Sequence, residues 1–323
     1  MSKTVLVRAH GGPEVLSYED RELPPPGPGE VRVRHRAIGL NFIDTYHRSG
    51  LYPMPLPFVA GNEGAGDVEA VGEGVTDVAV GDRVTYAGPP GSYAEERNIP
   101  AARVAPIPDD VSYEVAAAIT LKGITAYYLI FQTWPLAAGD TVLFHAAAGG
   151  VGSIVTPWAK ALGARVIATA GSPEKLALAR ALGADDVIDY RTEDFAKRVR
   201  ELTDGRGVDV VYDGVGKDTW SGSLDSLRPR GLMVSFGNAS GPVSVPDLGI
   251  LARKGSLYVT RPTTASYMAT TQELRTAVAA VFDALRAGHF EVQIGQRFGL
   301  HETQEAHRAL EGRTTTGSTV ILP

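Results

Sequence analysis

The chain has 323 residues and a formal net charge of −6, a length beyond what one hydrophobic core usually serves, so two domains are expected. The acidic balance, with no basic tract, gives little electrostatic basis for binding nucleic acid or an anionic membrane surface and favours a small-molecule partner. Cysteine is absent, which excludes disulfides, thiolate catalysis and every cysteine-built zinc site; the seven histidines form no i,i+4 pair and have no acidic ligand cluster beside them, so no metal is expected.

The opening "MSKTVLVRAHGG" has too short an apolar run for a secretory signal, and no stretch of about 18 uncharged apolar residues follows, which predicts a cytoplasmic protein. From Met1 to about Leu121, short β-rich runs ("TVLVRAH", "GEVRVRHRAIGL", "GDVEAVG", "GDRVTYAG") are broken by glycine and proline. Such punctuation reads as a mostly antiparallel, barrel-like domain, with "ELPPPGPGEV" as a stiff surface connection. "SYEVAAAITLKGITAYYLIFQT" predicts a helix pair or an interrupted helix. Apolar strands then alternate with helical stretches: "TVLFHA" and 150–162, "ARVIATA" and "SPEKLALARALGA", "DVIDY" and "TEDFAKRVRELT", "VDVVYDGVG" and "TWSGSLDSL", then "RGLMVSFGN" and "SLYVT". This βαβ series predicts a parallel sheet covered on both faces. The expected division is a catalytic domain over 1–123, a coenzyme domain over 124–260, and a return segment over 261–323 that completes the first.

In "LFHAAAGGVGSIVTPWAK", the first strand of that series ends and its first helix begins. Written Ala147-x-Gly149-x-x-Gly152, it is the dinucleotide fingerprint with alanine in the first glycine's place. The chemistry asks for a tight turn, a backbone that can approach a diphosphate, and a helix N-terminus with free N–H groups. Gly149, Gly150 and Val151 are the candidate bed. A glycine-rich turn alone is a weak signal; its position opening a long βαβ series makes it a cofactor site. At the end of the second strand, where an acidic residue would hold an NAD ribose, the sequence is "ATAGSPEK", with Ala170 and Gly171 at that point and no carboxylate to repel a 2′-phosphate. Ser172 reads as an N-cap and Pro173 as the first helical residue, which puts Lys175 in the first turn. A cation there opposes the helix dipole, so Ser172 and Lys175 are candidates for the NADP phosphate. The alternative for Lys175 is a solvated surface lysine.

The run "GDTVLFHAAAGGVGSIVTPWAK", with "AIGLNFIDTYHRSGLYP", "LKGITAYYL", "FGNASG", "SLYVTRP" and "EGRTTTGSTVILP", resembles the quinone oxidoreductase family, the zeta-crystallin-like branch of the medium-chain dehydrogenases/reductases. Pro157 departs from that pattern, which usually has glutamine, and a proline inside a helix removes an amide donor. The resemblance implies an α/β fold: a Rossmann doubly wound parallel sheet plus a GroES-like, barrel-like catalytic domain. Zinc-dependent relatives use a cysteine and a Gly-His-Glu motif, where this chain has Asn41 and Gly61-Asn62-Glu63; hydride transfer is therefore expected without a Lewis-acid metal.

Asn41 followed by Asp44 reads by itself as a capping arrangement for a short helix. The resemblance places "NFIDTY" against nicotinamide and substrate, so Asn41, Asp44 and Tyr46 become candidate catalytic residues; Tyr52 is a candidate to line the same pocket, the alternative being a packed or surface tyrosine. It also implies cofactor contacts at Thr125 and Tyr128, at Tyr190 beside the 2′-phosphate, at Phe236, Gly237 and Asn238 after the fifth strand, and at Arg261 and Arg313. The implied activity is an NADPH-dependent quinone reductase in which Asn41 or Tyr46 donates a hydrogen bond to the acceptor oxygen. The alternatives are an enone or alkenal double-bond reductase and a non-catalytic NADPH-binding structural or RNA-binding protein. A homodimer is implied by the family.

Overall fold

The structure is a computed structural model that describes residues 1–312 and 314–323. In chain order the elements begin with β1 (Ser2–Val7), β2 (Leu16–Arg21), β3 (Glu30–Leu40), α1 (Phe42–Ser49), β4 (Phe58–Val59), β5 (Glu63–Val71), β6 (Arg83–Ala87), β7 (Glu96–Pro100), β8 (Ala105–Pro106) and α2 (Tyr113–Tyr128). There follow β9 (Thr141–His145), α3 (Gly152–Ala161), β10 (Arg165–Ala170), α4 (Pro173–Ala181), β11 (Asp186–Asp189), α5 (Phe195–Leu202), β12 (Val208–Asp213), α6 (Trp220–Ser226) and β13 (Leu227–Ser235). The chain closes with α7 (Gly249–Arg253), β14 (Tyr258–Thr260), α8 (Thr264–Tyr267), α9 (Thr271–Arg286), β15 (Ile294–Gly299), α10 (Thr303–Glu311) and β16 (Ser318–Leu322).

Two compact units result: Met1–Ile124 with Met268–Phe282 and Val292–Pro323, and Thr125–Tyr267 with Asp283–Glu291. The residues after 260 are thus divided between the units. In the first unit, a seven-stranded sheet runs β15-β16-β3-β5-β6-β8, with β7 also paired to β3, and a small sheet runs β2-β1-β4. Except for the parallel β15–β16 pair, the ladders of this unit are antiparallel. β3 alternates buried and half-buried residues over its first half and is buried on both faces from Ala37 to Leu40, so its apolar end delivers Asn41 into the interior. A core of Val5, Val7, Ile38, Leu40, Tyr93, Leu300 and Ile321 lies beneath.

The second unit is a six-stranded, wholly parallel sheet, β11-β10-β9-β12-β13-β14. β9 and β12 are buried at every position, as expected of strands covered on both faces. Leu143, Ile167, Ile188, Val211 and Met233 form its core with Val199 of α5 and Leu224 of α6. The interrupted helix of the sequence is α2 continued by a wider turn over Leu129–Thr133. This stretch, 113–133, has the length and mean hydropathy, 1.3, of a membrane span, but 72% of its apolar window is buried inside the protein.

Candidate active site

In the second unit the strand ends of the parallel sheet carry the candidate cofactor residues. β9 stops at His145, and Ala146 takes a left-handed φ of +56°, a conformation that disfavours a side chain by about 1 kcal/mol. The tight bend therefore falls one residue before the alanine at which the spacing put it. Gly149 N–H donates to the Ala146 carbonyl at 2.8 Å. A Cβ on Gly152 would lie 2.5 Å from the Ala147 carbonyl oxygen and 2.7 Å from that of Ala146, so only glycine lets α3 start this close to the strand. α3 has no side-chain N-cap bond, and among the described residues no backbone acceptor is found for the N–H groups of Gly150, Val151 and Gly152. A helix N-terminus left open in this way suits a diphosphate. Pro157 sits within α3 without ending it.

The second strand's end matches the cap expected from its sequence. Ser172 Oγ accepts the Lys175 N–H at 3.3 Å, and Pro173 is the first helical residue. Tyr190 leans over Gly171, where a Cβ would come within 2.4 Å of its hydroxyl, so Gly171, Ser172, Lys175 and Tyr190 are brought together. One expectation is corrected here: a carboxylate does stand in this turn. Glu174 accepts its own N–H and the Ser172 hydroxyl, which hold its carboxyl below the usual range.

Phe236 and Gly237 follow β13 and are tied to Asp213, which ends β12, through Phe236 N–H to the Asp213 carbonyl at 2.8 Å. Gly237 and Gly214 approach so closely that a Cβ on Gly237 would lie 2.2 Å from the Gly214 oxygen. Asn238 is buried. Arg261 Nη1 donates to the Ser235 and Gly237 carbonyls at 2.8 and 3.0 Å, fastening the loop after β13. Tyr128 is only 3% exposed; it stacks on Tyr267 with ring centroids 4.6 Å apart and bonds to Thr125 and Thr264, so it buttresses Thr125. Arg313 lies outside the described residues.

The sequence reading missed a buried network under these strand ends. Asp213 accepts from Val215 and Gly216 N–H and from the Thr219 and Ser223 hydroxyls. His145 joins it through Ser223 and reaches Thr169, both at 2.9 Å. Burial keeps this imidazole neutral by lowering its pKa, with Asp213 opposing.

In the first unit, Asn41 caps α1. Asp44 Oδ2 reaches back to the Asn41 N–H at 2.8 Å, and Gly50 closes the helix at φ +81°. The Asn41 amide donates to Glu63 Oε2 at 2.8 Å and lies 3.4 Å from the Gly39 carbonyl. The ladder explains the contact: β3 and β5 pair Gly39 with Glu63, and a Cβ on Gly39 would stand 2.3 Å from Glu63 Oε2. Lys122 Nζ lies 3.4 Å from the same oxygen, with Lys122 and Glu63 both buried. Tyr46 and Tyr52 meet edge to face with ring centroids 5.2 Å apart, joined by Tyr52 N–H to the Tyr46 carbonyl at 3.0 Å. Asp44 is 1% exposed. Burial pushes its carboxyl up to about 7 against the opposing bonds from Asn41 and Tyr93. Lys122 was legible as a lone cation in an apolar helix; no sequence signal marks Tyr93 or His307.

Over its full length the chain is 57% identical to the quinone oxidoreductase of Pseudomonas aeruginosa, with 100% of both chains covered. It belongs to the quinone oxidoreductase family. Residues 27–109 match the alcohol dehydrogenase GroES-like domain, and residues 150–283 match the zinc-binding dehydrogenase family. The Escherichia coli quinone oxidoreductase solved in complex with NADPH superposes with a TM-score of 0.98 at 48% identity, covering 99% of this chain and 100% of that one. A 2-haloacrylate reductase of Burkholderia sp is 47% identical, with 100% of this chain and 99% of that protein covered.

The zinc of the matched dehydrogenase family does not fit the residues of this chain. Where the resemblance puts two of its ligands stand the amides of Asn41 and Asn62, the second bonded to His47 at 3.1 Å and to the Gly88 carbonyl at 2.7 Å. The Lys122 ammonium sits against the remaining carboxylate. Among the described residues no group of three or more His, Cys, Asp or Glu is placed to hold a metal ion.

Proposed function

We propose that this chain reduces quinones with NADPH, using no metal ion. The observation that carries the reading is the strand-turn-helix bed at Ala146–Gly152 with Ser172, Lys175 and Tyr190 gathered at the next strand end. Bound NADPH supplies a hydride from its nicotinamide ring. The chain's part is to hold and align. The N–H groups of Gly150, Val151 and Gly152 receive diphosphate oxygens; Lys175, Ser172 and Tyr190 receive the 2′-phosphate, and Glu174 must turn away for that anion to enter. Thr125 and the Phe236–Asn238 loop, fastened by Arg261, support the nicotinamide end.

In the first unit the Asn41–Tyr46 turn and Tyr52 face the acceptor. Asn41 or Tyr46 donates a hydrogen bond to the growing oxyanion, the Asn41 amide being oriented by its bond to Glu63, and water completes the protonation. Asp44 orients the turn. A double-bond reductase is the second reading, favoured by the full-length likeness to a 2-haloacrylate reductase. Calorimetry on ligand-free protein is expected to detect NADPH binding, and NADPH oxidation is expected to be faster with 1,4-benzoquinone than with a panel of enals. Faster enal turnover would establish the second reading, and binding with no turnover would leave a non-catalytic NADPH-binding protein.

A homodimer in the cytoplasm completes the proposal. β14 is an edge strand that exposes Tyr258 (61%) and Val259 (39%) near Leu248 (73%) in sequence, an apolar edge suited to a second copy. Light scattering that returns the monomer mass would remove that part.

A further inference from the structure

Behind Asp44 runs a line of buried polar groups that neither the sequence nor the proposed activity uses. Arg48, His307, Tyr93 and Asp44 are 2%, 0%, 0% and 1% exposed. Arg48 Nη1 lies 2.9 Å from His307 Nδ1, His307 Nε2 lies 3.1 Å from the Tyr93 hydroxyl, and that hydroxyl lies 2.9 Å from Asp44 Oδ2. The direction of every bond follows from the first. A guanidinium only donates, so His307 Nδ1 accepts and the ring proton resides on Nε2. Nε2–H then donates to Tyr93, whose single hydroxyl proton is left to point at Asp44. The opposite tautomer would set two donors against each other at Nδ1.

Each member is locked in place. Arg48 is held by two bonds to Glu311 at 2.6 and 3.1 Å and by Nε to the Gly11 carbonyl at 3.1 Å. The Tyr93 ring stands edge-on to His307 at 5.7 Å and 89°. Gly61, at φ +84°, makes room for it, since a Cβ there would lie 2.1 Å from Tyr93 Cδ1. Burial and the Arg48 charge push His307 down to about 3, so the imidazole stays neutral and the direction of the line does not change near neutral pH.

We propose that the Arg48–His307–Tyr93 line positions Asp44 and decides whether its carboxyl carries a proton, so that Tyr93 and His307, the latter from the C-terminal helix α10, are positioning residues for the Asn41–Tyr46 turn. Asp44 Oδ2 already takes two donors, Asn41 N–H and Tyr93 O–H, whereas Oδ1 is buried without a partner. A proton taken up by Asp44 therefore resides on Oδ1, and the Tyr93 bond is what favours the ionised form. The other charges that bear on Asp44 are Lys122, which favours ionisation, and Glu63, which opposes it. The proposal rests on the reading that this turn faces the acceptor.

The test uses the full chain with NADPH and 1,4-benzoquinone. Infrared spectroscopy follows the carbonyl stretch of the protonated acid, assigned to Asp44 by its loss in Asp44→Asn, while kcat is measured across pH on the same samples. Tyr93→Phe is expected to move both midpoints upward by about one pH unit, the worth of one hydrogen bond to a charged group. His307→Leu is expected to move them upward by less. His307→Gln, whose amide can accept from Arg48 and donate to Tyr93, is expected to restore the wild-type midpoint. An unchanged infrared midpoint in folded Tyr93→Phe overturns the proposal. An infrared midpoint that moves while the kcat profile stays put upholds the line as the control of Asp44 and overturns the placement of the turn at the acceptor. Should Tyr93→Phe not fold, equal infrared midpoints for His307→Leu and His307→Gln overturn the proposal.

Discussion

The turn after β9 in the second unit is made of backbone, with three open N–H groups and glycines where any Cβ would collide. The turn after β3 in the first unit is held by side chains arriving from Glu63, Tyr93 and Lys122. A backbone bed is rigid to charge and intolerant of volume, because its donors are peptide groups and its clearances are fractions of an ångström. A side-chain network tolerates volume better but responds to protons, since its members titrate and are buried together.

That contrast predicts its largest effect at Gly152. Gly152→Ala places a methyl 2.5 Å from the Ala147 carbonyl oxygen, so the turn must open, and NADPH affinity by calorimetry is expected to fall on the order of 100-fold. Near-normal affinity would locate the diphosphate elsewhere. Lys175→Ala is expected to weaken NADPH by roughly tenfold or more and to leave NADH nearly unchanged; equal losses would remove its phosphate role. Glu174→Gln, which removes the charge beside Ser172, is expected to tighten NADPH a few-fold, and a weaker complex would mean that the carboxylate aids the site.

Acid is expected to act mainly on the side-chain network. His35 and His307, both in the first unit, are pushed down to about 3, chiefly by burial. Between about 6.5 and 3 the unfolded chain binds protons that the folded chain refuses. Their contribution to stability is therefore complete above 6.5 and is lost as pH falls to 3, at about 1.4 kcal/mol per pH unit for each histidine. Asp44, raised to about 7, acts the opposite way: its stabilisation is present at low pH and is lost as pH rises from 3.8 to 7. His145, lowered by burial in the second unit, adds to the acid loss. Thermal unfolding as a function of pH is expected to show a net fall on acidification below 6.5 that is shallower in His307→Gln. An unaltered slope would show that His307 is protonated in the folded chain. The smallest effect belongs to Thr156 in α3, whose hydroxyl is buried without a partner. Thr156→Val keeps the shape and is expected to raise stability by about 1 kcal/mol; a loss of that size would reveal a bound water on the hydroxyl.

How far each site was legible follows from its material. The bed after β9 could be read because its requirements are local: a strand, small residues and a helix start within a dozen positions. The Ser172 cap was legible for the same reason, but Glu174 was not seen as an occupant of that turn, because the direction in which its side chain folds back depends on the Ser172 hydroxyl. The bonds of Arg261 to two carbonyls and the stack of Tyr128 on Tyr267 were not legible, because they join residues on separate elements. Asn41 was legible as a cap and not as a partner of Glu63, since that contact depends on the register between β3 and β5.

From its own order of residues this chain determined the βαβ alternation, the mostly antiparallel first unit, the glycine bed and the absence of a thiolate, all of which depend on neighbours a few positions apart. Only the tertiary structure decided that Lys122 and Asn41 share one carboxylate oxygen of Glu63, and that Asp44 is linked through Tyr93 to a histidine 263 residues further along (307 against 44). Hydrophobic period and turn chemistry act over a few residues and are written in sequence; which buried donor meets which acceptor is settled only when distant strands and helices pack.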